Sequence, residues 1–328
     1  MTKLVTIFGG SGFVGRYIAR RMAKEGWRVR VATRDPNEAL FVKPYGAVGQ
    51  VEPVFCNIRD DDSVQAAIQG ASAVVNCVGV LEEKGKNTFL AVQADGADRV
   101  ALFAAKAGVE NFVHVSAIGA SQEGASEYSR SKAAGEAHVL RHMPNAVILR
   151  PSIIFGTEDQ FFNRFAGMTR WGPVLPIAKA NTKFQPVFVD DVAQAAVMGA
   201  LGTAAPGVYE LGGPDVDTFR GLMGRMLTVI RKRRLVLGMP GFVAKLVALF
   251  GGWGQTLSLG IVKTPITSDQ LKSLSSDNIV SEGAQGFDAL GITPRNMSAI
   301  LPDYLWRFRP SGQYDAIKES AQNLKAYE

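Results

Sequence analysis

Residues 6–22 read TIFGGSGFVGRYIARRM. A short apolar run enters a cluster of glycines, and a helix-like pattern leaves it. The glycines at 9, 10, 12 and 15 satisfy both G-x-x-G-x-x-G and G-x-G-x-x-G. Such a pattern supplies a tight turn, a backbone bare enough for close approach of a pyrophosphate, and helix N–H groups aimed at the phosphates. The strand before it and the helix after it are the context that turns a common glycine pattern into a dinucleotide-binding fingerprint. A glycine-rich turn without a ligand is the plainer alternative. Gly9, Ser11, Gly12, Phe13, Val14 and Gly15 are the candidate cofactor contacts of this loop.

Working outward, apolar runs alternate with helical patterns. LVTIF (4–8), RVRVAT (28–33), VEPVFC (51–56), ASAVVNCV (71–78), NFVHVS (111–116) and AVILR (146–150) read as strands. Helix-length segments separate them, the clearest being FLAVQADGADRVALFAAKAG (89–108). This alternation predicts an α/β fold, a doubly wound parallel Rossmann-type sheet built from right-handed crossover units. The expected dinucleotide-binding domain covers residues 1–154. QPVFV (185–189) and GVYELGG (207–213) flank the helix DDVAQAAVMGAL (190–201), so residues 184–211 are expected to rejoin the sheet. Residues 155–183 and 212–328 form the expected smaller C-terminal region, for docking or for covering a substrate. It would lie over the carboxyl ends of the strands, where open α/β sheets bind ligands.

The second strand discriminates between dinucleotides. NAD binders end it with a carboxylate for the ribose 2′-hydroxyl. GWRVRVATR places Thr33 there and Arg34 directly after, with Asp35 one step later. A guanidinium at this place suits a 2′-phosphate through paired charge-assisted hydrogen bonds. NADPH (or NADP) is therefore the expected cofactor. By topology Asn57 and Ile58 would border the adenine, and Cys77, Val78 and Gly79 would line the pyrophosphate and ribose. Ile58 reads equally well as plain core.

The bulk numbers narrow the class. The 328 residues are 47% hydrophobic and 20% charged, enough for a sizeable core. Cys56 and Cys77 are the two cysteines, which rules out a disulfide framework and a CxxC metal site. The histidines, His114, His138 and His142, form no metal-ligand pattern, so no metal is expected. The net charge of +6 suits anionic lipid or an acidic partner; no nucleic-acid-reading motif accompanies it. No signal or transit sequence precedes the first strand, which predicts a cytoplasmic bacterial protein.

SEYSRSK (126–132) adds Tyr128 and Lys132, one helical turn apart on the same face. FGGSGFVG, YSRSK, LRPSIIFG and FVDDVAQA together resemble the extended or atypical short-chain dehydrogenase/reductases. In working members of that family the residue matching Tyr128 donates a proton to a substrate carbonyl. The residue matching Lys132 lowers the tyrosine pKa and holds the nicotinamide ribose. A serine or threonine after the fifth strand orients the carbonyl oxygen. Ser116 is the hydroxyl available here, yet alignment with extended reductases puts Ala117 at that place, and adjacent strand residues point to opposite faces. The resemblance also carries cofactor contacts onto Ser116, Tyr128, Lys132, Pro151 and Ile153.

RPSIIFGTEDQFFNRFAGMTRWGPVLP (150–176), FQPVFVDDV (184–192) and LGITPRNMSAIL (290–301) are similar, more narrowly, to the reductase-like accessory subunits of respiratory complex I. These are the alpha-subcomplex subunit 9 type of NADH:ubiquinone oxidoreductase. That resemblance implies a structural NADPH without turnover and other complex I subunits as partners. It also implies a peripheral place on the cytoplasmic face of a bacterial inner membrane, or on the matrix side in a mitochondrion. The rival expectations are a free NADPH-dependent reductase or epimerase and an NADP(H) sensor. Phe161, Phe165 and Met168 make a helical stripe that either closes over the cofactor or packs as core. RKRR (231–234) followed by LVLGMPGFVAKLVALFGGWG (235–254) is too interrupted by Pro240, Lys245 and glycines to span a bilayer. It reads as core of the small region or as a docking segment for a partner or membrane surface.

Overall fold

A nearly unbroken apolar run such as Leu4–Phe8 suits a strand buried on both faces of a parallel sheet. In the computed structural model, which describes residues 3–240, 267–310, 312 and 314, it forms β1, an interior strand of the main sheet. The order continues with α1 (Phe13–Lys24), β2 (Arg28–Thr33), β3 (Val51–Phe55), α2 (Asp61–Ile68), β4 (Ala73–Asn76), α3 (Asp95–Lys106), β5 (Asn111–Val115), α4 (Glu127–His142) and β6 (Val147–Pro151). After β6 come β7 (Ile154–Phe155), α5 (Phe162–Met168), β8 (Val174–Ala178), β9 (Lys183–Phe184), β10 (Val187–Phe188), α6 (Val189–Leu201) and β11 (Gly207–Leu211). Then follow β12 (Asp217–Thr218), α7 (Phe219–Val229) and β13 (Leu235–Met239), and short helices at Ser268–Ser273 and Met297–Leu305.

Seven strands make one parallel sheet in the order β11-β6-β5-β4-β1-β2-β3. The doubly wound α/β architecture expected from the alternation is therefore present. Alternating residues feed two cores. Val5 and Ile7 face α1 and α6 together with Ile18, Met22, Val192 and Ala196. Phe8 and Val74 face α2, α3 and α4 together with Val64, Val100 and Val139. Arg21 of α1 clasps Asp190 of α6 with two bonds of 2.7 and 2.9 Å, fixing the two helices side by side.

Two local expectations change, and one open alternative is resolved. The helix expected over 89–108 opens with a π-helical turn at Leu90–Ala94 before α3 begins. There α4 crosses so closely that a Cβ on Gly135 would stand 2.2 Å from the Gln93 carbonyl oxygen. The strand expected at 185–189 is only Val187–Phe188, and it pairs with β7 outside the main sheet. The physical reason is that β11 occupies the edge beside β6 that β10 would need. Phe161, Phe165 and Met168 pack as core: Phe161 stacks on Phe219 at 5.6 Å and Phe165 meets the same ring edge-on at 5.3 Å.

That third core gathers Phe155, Phe162, Phe184, Phe219, Met226 and Leu301 around the segments after β6. Tyr304 donates to the buried Asp159 at 2.6 Å and ties Met297–Leu305 to the loop after β7. Within 231–254, residues 241–254 of the expected docking segment lie outside the described residues; β13 and the basic turn before it lie within them. Among the described residues no helix is long and apolar enough to cross a membrane.

Candidate functional site

The glycine loop leaves β1 through Gly9, whose φ of +73° is a left-handed conformation that costs glycine nothing. The Gly9 amide bonds to the Ala32 carbonyl on β2 at 3.1 Å, and the Gly12 amide returns to the Gly9 carbonyl at 2.9 Å. At Gly15 a Cβ would sit 2.3 Å from the Gly9 oxygen and 2.6 Å from the Gly10 Cα, so only glycine lets α1 approach β1 this closely. Gly12 caps α1 without a side chain, and the first turn of α1 contains no acidic residue. The free N–H groups of a helix start, with the helix dipole behind them, suit a phosphate. Phe13 and Val14 instead turn toward the third core. Across the loop, a Cβ on Gly9 would meet the Cys77 carbonyl carbon and the Val78 nitrogen at 3.3 Å. The ends of β1 and β4 thus bring Gly9, Cys77 and Val78 together.

The end of β2 bears on nucleotide choice. Ser11 Oγ donates to Thr33 Oγ1 at 3.1 Å, which holds the glycine loop against the strand end. Arg34 is exposed, and no described residue pairs with its guanidinium. The Asp35 carboxylate is engaged locally, accepting from the amides of Asn37 at 3.0 Å and Glu38 at 3.3 Å. A free cation with a committed carboxylate beside it fits a 2′-phosphate better than a bare ribose. Arg34→Ala is expected to weaken NADPH binding about 10- to 150-fold, the loss of a charge-assisted bond, and to leave NADH binding nearly unchanged. Titration of both nucleotides checks this; equal losses would remove Arg34 from the 2′-phosphate.

Asn57 and Ile58 are less available than topology implied. Asn57 Oδ1 accepts from the Arg59 amide at 3.2 Å, and the Asn57 amide bonds to Ser63 Oγ at 2.8 Å. Ile58 is buried against Gly96, where a Cβ would stand 3.1 Å away, so its side chain is core. Ile153 and Pro151 lie at the end of β6. The Ile153 amide donates to Asn278 Oδ1 at 3.1 Å and the Pro151 carbonyl accepts from Ile118 at 3.0 Å.

Tyr128 and Lys132 stand on α4, which starts at Ser126, whose side chain caps the Ser129 amide at 3.1 Å. The Lys132 ammonium lies 6.0 Å from the Tyr128 ring centre and donates to the Val115 carbonyl at 3.1 Å. Burial lowers its pKa to about 8, against the opposing pull of Glu136 and Cys77. Burial pushes the Tyr128 phenol up to about 12, and Phe89 packs edge-on against its ring at 5.9 Å. A Cβ on Gly79 would lie 3.3 Å from Lys132 Nζ and 3.4 Å from Gln93 Oε1, which has no partner although it is buried. An ammonium donor beside an orphaned carbonyl acceptor, over a residue with no side chain, suits the hydroxyls of a ribose. With the glycine loop, the residues present fit a bound nicotinamide dinucleotide.

Ser116 faces elsewhere. Its hydroxyl donates to buried Glu136, one turn beyond Lys132, and Glu136 also takes two bonds from Arg150, at 2.9 and 2.5 Å. Those bonds hold the Arg150 guanidinium above its usual pKa, and Glu210 stands 3.7 Å from it on the far side. A serine hydroxyl has one proton to give, and this one is committed to Glu136. Burial also lowers the His114 pKa to about 3, so that ring stays neutral, its Nδ1 3.3 Å from Asn76 Nδ2.

Gln93 and Glu136 escaped the motif reading, although a glutamine inside the apolar LAVQA run and a glutamate four residues past Lys132 are visible signals. Asp269 had no local signal. Its carboxylate accepts from the amides of Glu127 at 2.7 Å and Tyr128 at 3.1 Å, so the segment after 266 caps the helix that carries the Tyr–Lys pair. Asn278 similarly bonds to Ser152 Oγ at 2.7 Å across the end of β6.

The model of the NAD dependent epimerase/dehydratase family matches residues 5–212. The protein of Arabidopsis thaliana named NADH dehydrogenase (ubiquinone) 1 alpha subcomplex subunit 9, mitochondrial, is 34% identical over 94% of this chain and 79% of its own length. Ceramide reductase of Caulobacter vibrioides is 32% identical over 63% of this chain and 64% of its own length. Among solved structures, that of gox2253 superimposes with a TM-score of 0.71 at 22% identity, covering 95% of this chain and 99% of that chain. Its likeness is one of fold.

Proposed function

The chain belongs to the NAD dependent epimerase/dehydratase family, and from that premise we propose that it is an NADPH-holding accessory subunit of a respiratory complex I, without turnover of its own. The relatives named alpha subcomplex subunit 9 support the complex. One geometric observation supports the silence: the hydroxyl that should complete the Tyr128–Lys132 pair belongs to Ser116, which is committed to Glu136, and the next residue is Ala117. Bound NADPH would supply a hydride donor; the residues around it would hold it rather than present a substrate to it. The nucleotide then acts as a structural ligand that stabilises the folded chain by binding it alone. The proposed partners are the other complex I subunits, and the proposed place is peripheral, against the cytoplasmic or matrix face of the inner membrane.

A native pull-down of the tagged chain from gently solubilised membranes tests this reading. Complex I subunits and released NADPH are expected; recovery of the chain as a lone soluble protein would refute it. A second reading, a free NADPH-dependent reductase, is favoured by the intact Tyr128–Lys132 pair and by the relative named ceramide reductase. Tyr128→Phe separates the two. It removes one hydroxyl and keeps the ring against Phe89, costing ~1 kcal/mol or less. NADPH binding, assembly and NADH:ubiquinone activity of membranes are expected to survive. A reductase would lose about 10²–10⁴-fold in rate from the same change.

A further inference from the structure

Strands β8 and β13 pair in parallel as a two-stranded ribbon, Leu235 opposite Val174 and Leu237 opposite Pro176. Alternate residues should point to opposite sides, one buried and one polar. The inner side obeys: Leu175 and Ile177 are buried in the third core and Val236 packs against it. The outer side does not. Val174, Pro176, Leu235 and Leu237 are all exposed, Leu235 by 63% and Leu237 by 51%. Trp171, just before the ribbon, is 91% exposed. A ribbon apolar on both sides, with a tryptophan at its margin, needs something to cover its outer face.

Charge identifies the cover. Residues 160–189 and 218–240 contain ten of the thirty-six Lys and Arg and none of the thirty Asp and Glu, although Arg225 pairs with Asp215 and Asp217 just outside them. The rest of the chain, with twenty-six cations against thirty acids, is net negative, so the whole positive excess lies on these two segments. They meet at the ribbon. Lys232 Nζ donates to Thr169 Oγ1 at 3.2 Å, Arg234 donates to the Thr169 carbonyl at 3.2 Å, and Arg220 reaches the Val236 carbonyl at 3.2 Å. Among the described residues no carboxylate pairs with Arg170, Lys232, Arg233 or Arg234. Burial and the nearby Arg234 and Arg170 lower the Lys232 pKa, the mark of cations gathered without a counter-ion.

We propose that the outer face of the β8–β13 ribbon, with Trp171 and the cations Arg170, Lys232, Arg233 and Arg234, docks directly on the surface of an anionic phospholipid bilayer. Leucines and valine would enter the headgroup–acyl boundary, tryptophan would sit at headgroup level, and the cations would meet lipid phosphates. An acidic protein surface would satisfy the cations but not the apolar ribbon face, which they border at the end where both strands begin. The contact concerns the purified chain and lipid alone, so it stands or falls separately from membership of complex I.

The test is flotation of the full-length, NADPH-loaded protein with vesicles of phosphatidylcholine alone and of phosphatidylcholine with about a third phosphatidylglycerol. Binding is expected only to the anionic vesicles, weakening with salt. Tryptophan emission should shift to the blue on binding, and Trp171→Phe should remove that shift. Arg233→Glu with Arg234→Glu should lower the partition coefficient by at least about 30-fold, the loss expected from removing two cations alone. Leu235→Ser with Leu237→Ser should lower it as well, and all variants should keep native circular dichroism and NADPH affinity. Equal binding to neutral vesicles, no binding to either, or native binding by the charge-reversed or serine variants would overturn the proposal. Loss of retention by membrane subunits in the charge-reversed variant, with no vesicle binding by the native chain, would assign the face to an acidic protein instead.

Discussion

Gly12→Asp is expected to weaken NADPH binding by at least about 100-fold, ~2.7 kcal/mol, while leaving the chain folded. Gly12 is the cap of α1 with a φ of −73°, a conformation open to any residue, and aspartate is a favoured helix cap. A Cβ there meets only the Gly9 carbonyl oxygen, at 3.1 Å, so the loop can accommodate it with a small shift. What it cannot accommodate is a second anion. The carboxylate would take the N–H groups at the start of α1 and bring a negative charge to where the pyrophosphate must sit. The variant should therefore show native circular dichroism, no NADPH binding by fluorescence titration, and no rise in melting temperature on adding nucleotide. At a nucleotide concentration 100 times Kd that lost stabilisation is about 2.7 kcal/mol. If NADPH supports assembly, membranes of the mutant should also lose NADH:ubiquinone activity, in contrast to Tyr128→Phe. Native affinity in Gly12→Asp would overturn the assignment of this loop to the phosphates.

Glu136→Ala is expected to cost about 3–5 kcal/mol in urea unfolding, the usual penalty for breaking a buried ion pair by removing one partner. Glu136 is 7% exposed at its side chain and accepts two bonds from Arg150 as well as the Ser116 proton. Its removal orphans a guanidinium and a hydroxyl at once and takes away the charge that most opposes the lowering of the Lys132 pKa. Glu210, 3.7 Å from Arg150, offers partial compensation, which places the expectation near the lower end. Glu136→Gln keeps the volume and one acceptor and should cost less. A loss below about 1 kcal/mol in Glu136→Ala would show the cluster to be no stronger than an exposed pair.

The central sheet was legible because its signals are local. LVTIF, RVRVAT and NFVHVS carry the apolar runs of buried parallel strands, and each became a strand within a residue of the expected bounds. The glycine spacing is local as well: Gly15 is needed because its helix meets the Gly9 and Gly10 backbone within seven residues, and Gly9 because its φ is left-handed. The short strand at Val187–Phe188 was legible as a strand but not in its pairing. Pairing depends on which edge is free, and β11 had taken the one beside β6. The stripe of Phe161, Phe165 and Met168 showed a helical face without showing what it faces, which proved to be Phe219 and the third core.

The sequence by itself determined the parallel sheet, the phosphate-shaped turn at Gly9–Gly15, the cation at Arg34 and the Tyr128–Lys132 pair. Each rests on periodicity or spacing within one or two elements, where chain geometry leaves little choice. Only the tertiary structure decided what those groups meet. The commitment of Ser116 to Glu136, the local use of Asp35, the orphaned Gln93 beside Lys132 and the capping of α4 by Asp269 all depend on side-chain direction or on segments distant in the chain. So does the ribbon face beside Trp171, whose two strands lie about sixty residues apart and become one surface through ladder hydrogen bonds and shared burial of their inner side. Spacing along a chain carries no information about such pairings, because they are selected by which donors, acceptors and apolar faces remain unsatisfied once the core has formed.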